Sequence, residues 1–201
     1  MKRIRIFTSL VLFVILVILS SYTYFPQSAK VKVTHIGGQV EFTNQYNSKV
    51  YMCIPAAYTG YDGKIEGQYL IRGKTYGSQG LKERVSIHPQ KGLMIGREWM
   101  SGNGFQQHVL VKSGKVRHFK DKRRFRRRAL CSDDSSPGSF LIIESTRRMT
   151  MNDFAAEVAR YTKNAVNLDM GRWGYGWIGN KIHSPWAIVF KNWQTNWLII
   201  K

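Results

Sequence analysis

The sequence predicts an α+β domain, in which a mixed, largely antiparallel sheet packs against one main helix and an N-terminal hydrophobic helix precedes the domain. Three observations predict it. Short apolar segments rich in β-branched and aromatic residues recur between turn signals, one stretch has helical spacing, and an apolar run follows the first cations. The strand-like segments are VKVTHI, QVEFT, KVYMCI, QYLIR, ERVSIH, QQHVLVK, KVRHF, SFLIIE, WAIVF and WLII, separated by Gly-Gly, Asp-Gly and Ser-Gly pairs. The last two suggest a closing hairpin that carries Trp186, Trp193 and Trp197 toward the core.

The helix is expected in TMNDFAAEVARYTKN. Thr150 can cap it, Asp153 sits three residues later as in a capping box, and Phe154, Ala155, Val158, Ala159 and Thr162 share a face. It delivers the chain into a short strand, Ala165 to Leu168, which ends at Asp169. A strand end beneath loops is where a rigidly held side chain meets a ligand, so Asp169 is the first candidate for chemistry. A lone aspartate there also serves as a turn or cap residue. Gly171, Gly174, Gly176 and Gly179 permit close backbone approach, and Trp173, Tyr175 and Trp177 offer flat faces of the kind that stack on sugar rings.

At the N-terminus, MKRIRIFTSLVLFVILVILSSYTYF places cations before an apolar run from Ile6 to about Leu19. The run lies between a cleaved signal peptide and a full span in length, and no A-x-A-like site follows it. Residues 1–29 are therefore read as an uncleaved single-pass anchor or a signal peptide with a short juxtamembrane segment. The cations would stay inside and the domain, residues 30–201, would lie outside the cytoplasm, secreted or periplasmic if cleaved. That remainder is the size of one domain.

Charge is the dominant compositional feature. The chain has 31 Lys and Arg against 12 Asp and Glu, a formal +19, and the excess gathers in KVRHFKDKRRFRRR between Lys115 and Arg128. Such a block attracts phosphorylated or anionic carbohydrate, or an anionic membrane surface, unless it is simply a solvated hairpin. Nucleic acid is disfavoured, because only Phe119 and Phe125 interleave with the cations. Cys53 and Cys131 are too few for a thiolate metal cluster, and the histidines lack ligand spacing, so neither metal nor cofactor is expected. The two cysteines are as compatible with buried free thiols as with a disulfide.

Beyond residue 48 the chain resembles the phosphodiester glycosidase domain family. AVNLDMGRWG is similar to that family's A-x-N-L-D-G-G-G-S-S stretch at Ala165, Asn167, Leu168, Asp169 and Gly171, with Met170, Arg172 and Trp173 in place of two glycines and a serine. RRALC resembles its R-T-A-I-G stretch, with Arg127 for the arginine, Arg128 for the threonine and Cys131 for the glycine. IPAAYTGYDGKIEGQYLIRGK resembles its N-x-G-F-F, Asp-Gly and G-x-x-I-x-x-G-K sequence, with Pro55 replacing the asparagine and Tyr58 keeping aromatic character. The resemblance implies a hydrolase of glycosyl phosphodiesters or related anionic glycosides. It implies Asp169 and Arg127 as catalytic residues, and Arg128, Asn167, Gly171, Trp173 and Tyr58 as substrate-binding residues. Asp62, Glu66, Glu98 and Glu144 are available as a second carboxylate, and His183 as a general acid. The rival expectation is a noncatalytic, membrane-tethered module that binds anionic glycan or anionic lipid through a basic face.

Overall fold

The computed structural model describes residues 29–60, 62–170, 176–179, 181–182 and 196–200. The chain divides into Met1–Lys30 and Val31–Lys201, and the elements described below belong to the second unit. Every strand pairing among the described residues is antiparallel, so the expected largely antiparallel character holds and the parallel pairs of a mixed sheet are absent among them.

Three sheets replace the single expected one. The first is ordered β1 (Val31–Ile36), β12 (Phe140–Ser145), β11 (Arg128–Ser132), β13 (Ala165–Leu168), β9 (Val109–Lys112) and β10 (Lys115–Val116). The second is ordered β15 (Lys181–Ile182), β14 (Trp177–Ile178), β3 (Met52–Pro55), β16 (Trp197–Ile200) and β2 (Val40–Thr43). The third is ordered β5 (Lys74–Tyr76), β4 (Tyr69–Ile71), β8 (Gly104–Phe105), β6 (Arg84–His88) and β7 (Gly92–Gly96).

Alternation along the central strands explains how one sheet serves two cores. Leu130, Phe140, Ile142, Val166 and Leu168 face the main core, where residues of all three sheets meet, including Phe42, Ile54, Val85, Phe105 and Leu198. Their neighbours Ala129, Cys131, Leu141, Ile143 and Ala165 face the opposite way, into a second core with helix α1 (Met151–Val158). Burial on both faces is why these strands read as nearly continuous apolar runs.

Helix α1 begins as expected, with the Thr150 side chain accepting from the Asp153 N–H. It is shorter than its pattern suggested. Thr162 has left the helix, and its hydroxyl donates to the carbonyl of Ser132. Trp197 is fully buried, in a small cluster with Val50, Cys53 and Ile199. Trp177 packs against that cluster and its indole N–H donates to Val50, so it is a structural residue rather than an open stacking face. Trp186, Trp193 and His183 lie outside the described residues. Cys53 and Cys131 are free thiols, and burial pushes Cys53 up to about 11 and Cys131 well above its ordinary value.

The expected membrane anchor is corrected: among the described residues no helix is long and apolar enough to cross a membrane. Residues 1–28, on which that expectation and the hydrophobic helix rested, lie outside the described residues.

On the main-core side, Arg128 stands opposite Glu144 in the β11–β12 register and donates to it at 2.8 Å, with both side chains buried. Removing one member of a buried ion pair strands the other charge. Glu144→Ala is therefore expected to lower the unfolding free energy by about 3–5 kcal/mol, with an Arg128→Met, Glu144→Leu double variant recovering most of it, as read from urea denaturation.

Candidate functional site

Antiparallel pairing sets Arg128 of β11 against Leu168 of β13. One residue further along, Arg127 and Asp169 stand at the open end of the two strands, and both line a cleft of about 770 Å³. Alternation gives adjacent arginines different fates. Arg128 points into the main core, and Arg127 lies on the face toward α1.

Arg127 is held on several sides. Its Nε donates to the Met149 carbonyl, its Nη2 donates to the Arg123 carbonyl, and the guanidinium lies 5.2 Å from the centre of the Phe125 ring. Its backbone N–H donates to the Ser145 hydroxyl at 2.7 Å. Burial lowers its pKa, an effect opposed by Tyr58 and Asp121, and an arginine so placed remains charged at neutral pH. The strand end thus presents a preorganised cation, only 6% exposed, as one wall of the cleft.

The opposite wall comes from the segment after β3. The Asp169 N–H donates to the Ala56 carbonyl, and the Asn196 side chain clasps Ala57, accepting from its N–H and donating to its carbonyl. These bonds carry Tyr58 over the end of β13, where Asn167 Nδ2 donates to the phenol oxygen at 2.8 Å. Asn167 also donates to the Leu168 carbonyl, which fixes the amide orientation, and its buried Oδ1 has no hydrogen-bond partner. Burial, reinforced by Asp169, Glu66 and Asp121 against the lowering effect of Arg127, raises Tyr58 to about 12. Tyr58 is therefore a neutral phenol, able to donate.

Where β9 begins, His108 lies between the rings of Tyr58 and Phe119 in two edge-on contacts. Its carbonyl accepts the Asn167 N–H, so the histidine is fixed to the same strand as Asp169. Burial lowers its pKa, Glu66 opposes that effect and Arg127 adds to it.

The basic segment between β10 and β11 is not a free hairpin. Phe119 exchanges two backbone hydrogen bonds with the Asn152 side chain, and Phe125 pairs with Met149 through both backbone groups. This segment, with Arg148, brings Lys120, Arg123 and Arg126 to the cleft beside Asp121. Asp121 accepts from Arg123, which holds its carboxyl below the usual range. Five cations against Asp121 and Asp169 leave the described lining strongly positive, a match for phosphate oxygens.

Of the residues singled out from sequence, the fold brings Arg127, Asn167, Asp169 and Tyr58 together. Arg128 is engaged with Glu144 away from the cleft, which also removes Glu144 as a free second carboxylate. Asp62 caps a turn, accepting the Lys64 N–H, and Glu98 is exposed outside the cleft lining. Glu66 donates its backbone N–H to the Tyr58 carbonyl at 2.8 Å, and its carboxylate acts on Tyr58 and His108 through its charge. Gly171 and Trp173 lie outside the described residues. The chain returns at Gly176, whose positive φ and closeness to the Cys53 carbonyl leave no room for a side chain. Sequence pattern marks Asp121 and Arg148 only faintly, as a lone acid in the basic run and half of an arginine pair before the helix cap, and it does not mark His108.

Among the described residues no group of histidine, cysteine and acidic side chains is placed to hold a metal ion. No family model matches the chain and no curated protein matches it. Its fold is nevertheless shared with known structures. It is similar to the zebrafish N-acetylglucosamine-1-phosphodiester alpha-N-acetylglucosaminidase catalytic domain auto-inhibited by its pro-peptide, at TM-score 0.57 and 17% identity over 85% of this chain and 72% of that one. It is also similar to a hypothetical protein from Synechocystis, at TM-score 0.52 and 11% identity, covering 88% of this chain and 58% of that structure.

The lowered His108 pKa has a testable consequence. Between its ordinary value of 6.5 and its lower folded value, the unfolded chain binds a proton that the folded chain does not, so stability falls as pH drops through this window. His108→Phe, which keeps ring packing, is expected to flatten that dependence in denaturant melts across pH 4 to 7.

Proposed function

We propose that the chain is a hydrolase of glycosyl phosphodiesters or related anionic glycosides, with its active site in the cleft at the open end of β11 and β13. The observation that carries this reading is the placement of a buried, fixed Arg127 beside Asp169 in a positively lined cleft. The fold shared with a phosphodiester glycosidase supports it.

In this reading Arg127 takes the phosphate and stabilises the negative charge that leaves with it. Asp169 acts at the anomeric carbon, as nucleophile or as base toward water. The carbon–oxygen bond breaks, water supplies the new hydroxyl, and a phosphate monoester departs. Such a leaving group has a second pKa of about 6, so at neutral pH it needs no proton from the protein. This suits a cleft whose other described carboxylate, Asp121, is kept ionised by Arg123. Asn167 Oδ1 would accept from a sugar hydroxyl, and the neutral Tyr58 would donate to the same ring. Arg128 would act only through the scaffold.

Met170 favours a second reading, that of a noncatalytic module binding anionic glycan. It lines the cleft next to Asp169, where the resembled motif has a glycine.

Hydrolysis of a panel of sugar-1-phosphodiesters by the full chain separates the two. Turnover is expected, falling by about 10²–10³ in Arg127→Ala, the loss typical of a missing charge-stabilising donor. Asp169→Asn should lose about 10²–10⁴ with its fold intact by circular dichroism. Binding without turnover, unchanged in Asp169→Asn, would select the noncatalytic module.

A further inference from the structure

A second groove, of about 310 Å³, shares His108 and Phe119 with the proposed active-site cleft. Lys82, Arg117 and His118 contribute to its lining, with Glu83 among them. Glu83 is engaged by both Lys112, at 2.7 Å, and Arg117, at 2.9 Å, so its charge is already answered inside the protein.

Gln107 makes this groove more than a surface dent. It is 2% exposed, and its Oε1 accepts the His108 N–H at 2.8 Å. That bond fixes the amide, leaving Nε2 as a buried donor with no hydrogen-bond partner. Buried donors in folded proteins are nearly always met, so an unanswered one bordering a cationic groove is a place for a ligand acceptor oxygen. The same His108 hands its carbonyl to the Asn167 N–H. Gln107, His108 and Asn167 are thus one hydrogen-bonded line from this groove to the cleft.

We propose that this groove is a subsite for a second anionic group of the same substrate, so that the preferred substrate is an oligomer carrying at least two glycosyl phosphates. The inference rests on the reading of the cleft as the place where the first phosphodiester binds. Phe119 and His108 form the saddle between the two positions. One phosphate meets Arg127, and the next meets Gln107 Nε2 with Lys82 and Arg117.

The test is calorimetric binding of two probes, a glucosyl-1-phosphodiester monomer and the corresponding dimer with two phosphates, to the full chain. Gln107→Glu keeps the acceptor that holds His108 but replaces the donor with an oxygen. Lys82→Ala serves as an independent variant in case the first fails to fold. The dimer is expected to bind about tenfold tighter than the monomer, the worth of one charge-assisted contact, and each variant should remove most of that margin, with Lys82→Ala leaving monomer binding and turnover unchanged. Equal affinity for the two probes, or a margin that survives both variants, would overturn the subsite. A dimer advantage that both variants abolish, without hydrolysis of either probe, would uphold the subsite and reject only the hydrolase reading.

Discussion

The antiparallel register of β11 against β13 is the constraint on which both the fold and the site depend. With Arg128 opposite Leu168, the next residues, Arg127 and Asp169, fall side by side at the strand ends on the face toward α1. The same register puts Arg128 on the other face, against Glu144 across β12. A slip of one residue would exchange the faces of β11, taking Arg127 out of the cleft and Arg128 away from its place opposite Glu144. The buried ion pair and the cleft are two consequences of one alignment.

The arrangement around that alignment shows how a chain of formal charge +19 uses its cations. Arg123 and Arg127 lie over the Phe125 ring, Arg126 donates to the Ser145 carbonyl, and Arg117 joins Lys112 at Glu83. The basic segment is therefore stitched to the sheet and to the residues before α1, and does not float as a solvated arm. Fixing cations in this way removes much of the entropy that would otherwise be lost when an anion is bound. Tyr58, Asn167 and His108 add neutral donors and acceptors beneath the charged rim. Burial raises the Tyr58 phenol and lowers the His108 imidazole, which favours the neutral form of both.

Local pattern made part of this legible. The spans of β1 and β13 and the start of α1 follow from alternation, apolar runs and the Thr150 cap, because each is decided within a few residues. Alternation tells which face a residue takes but not which strand it meets, so it does not divide the strands among three sheets. The pair β4–β5 shows the same limit, since β5, KTY, carries a weak apolar signal and is fixed by its partner. Long-range links were invisible: Asn167 meets Tyr58 across 109 positions and Asn196 clasps Ala57 across 139. Arg127 and Arg128 are adjacent and chemically identical, so only the tertiary register separates the cleft wall from the core ion pair. Residue types and motif order placed Asp169, Asn167 and Arg127 on one list, and the fold places them at one cleft.

The role proposed for Arg127 and Asp169, joint reception of a glycosyl phosphodiester, is open to a crystal structure of the full chain with a nonhydrolysable glycosyl phosphonate. Phosphonate oxygens are expected within hydrogen-bond distance of the Arg127 guanidinium, with the anomeric carbon facing the Asp169 carboxylate. A ligand seated elsewhere on the basic surface, with the cleft at the open end of β11 and β13 empty, would speak against that role.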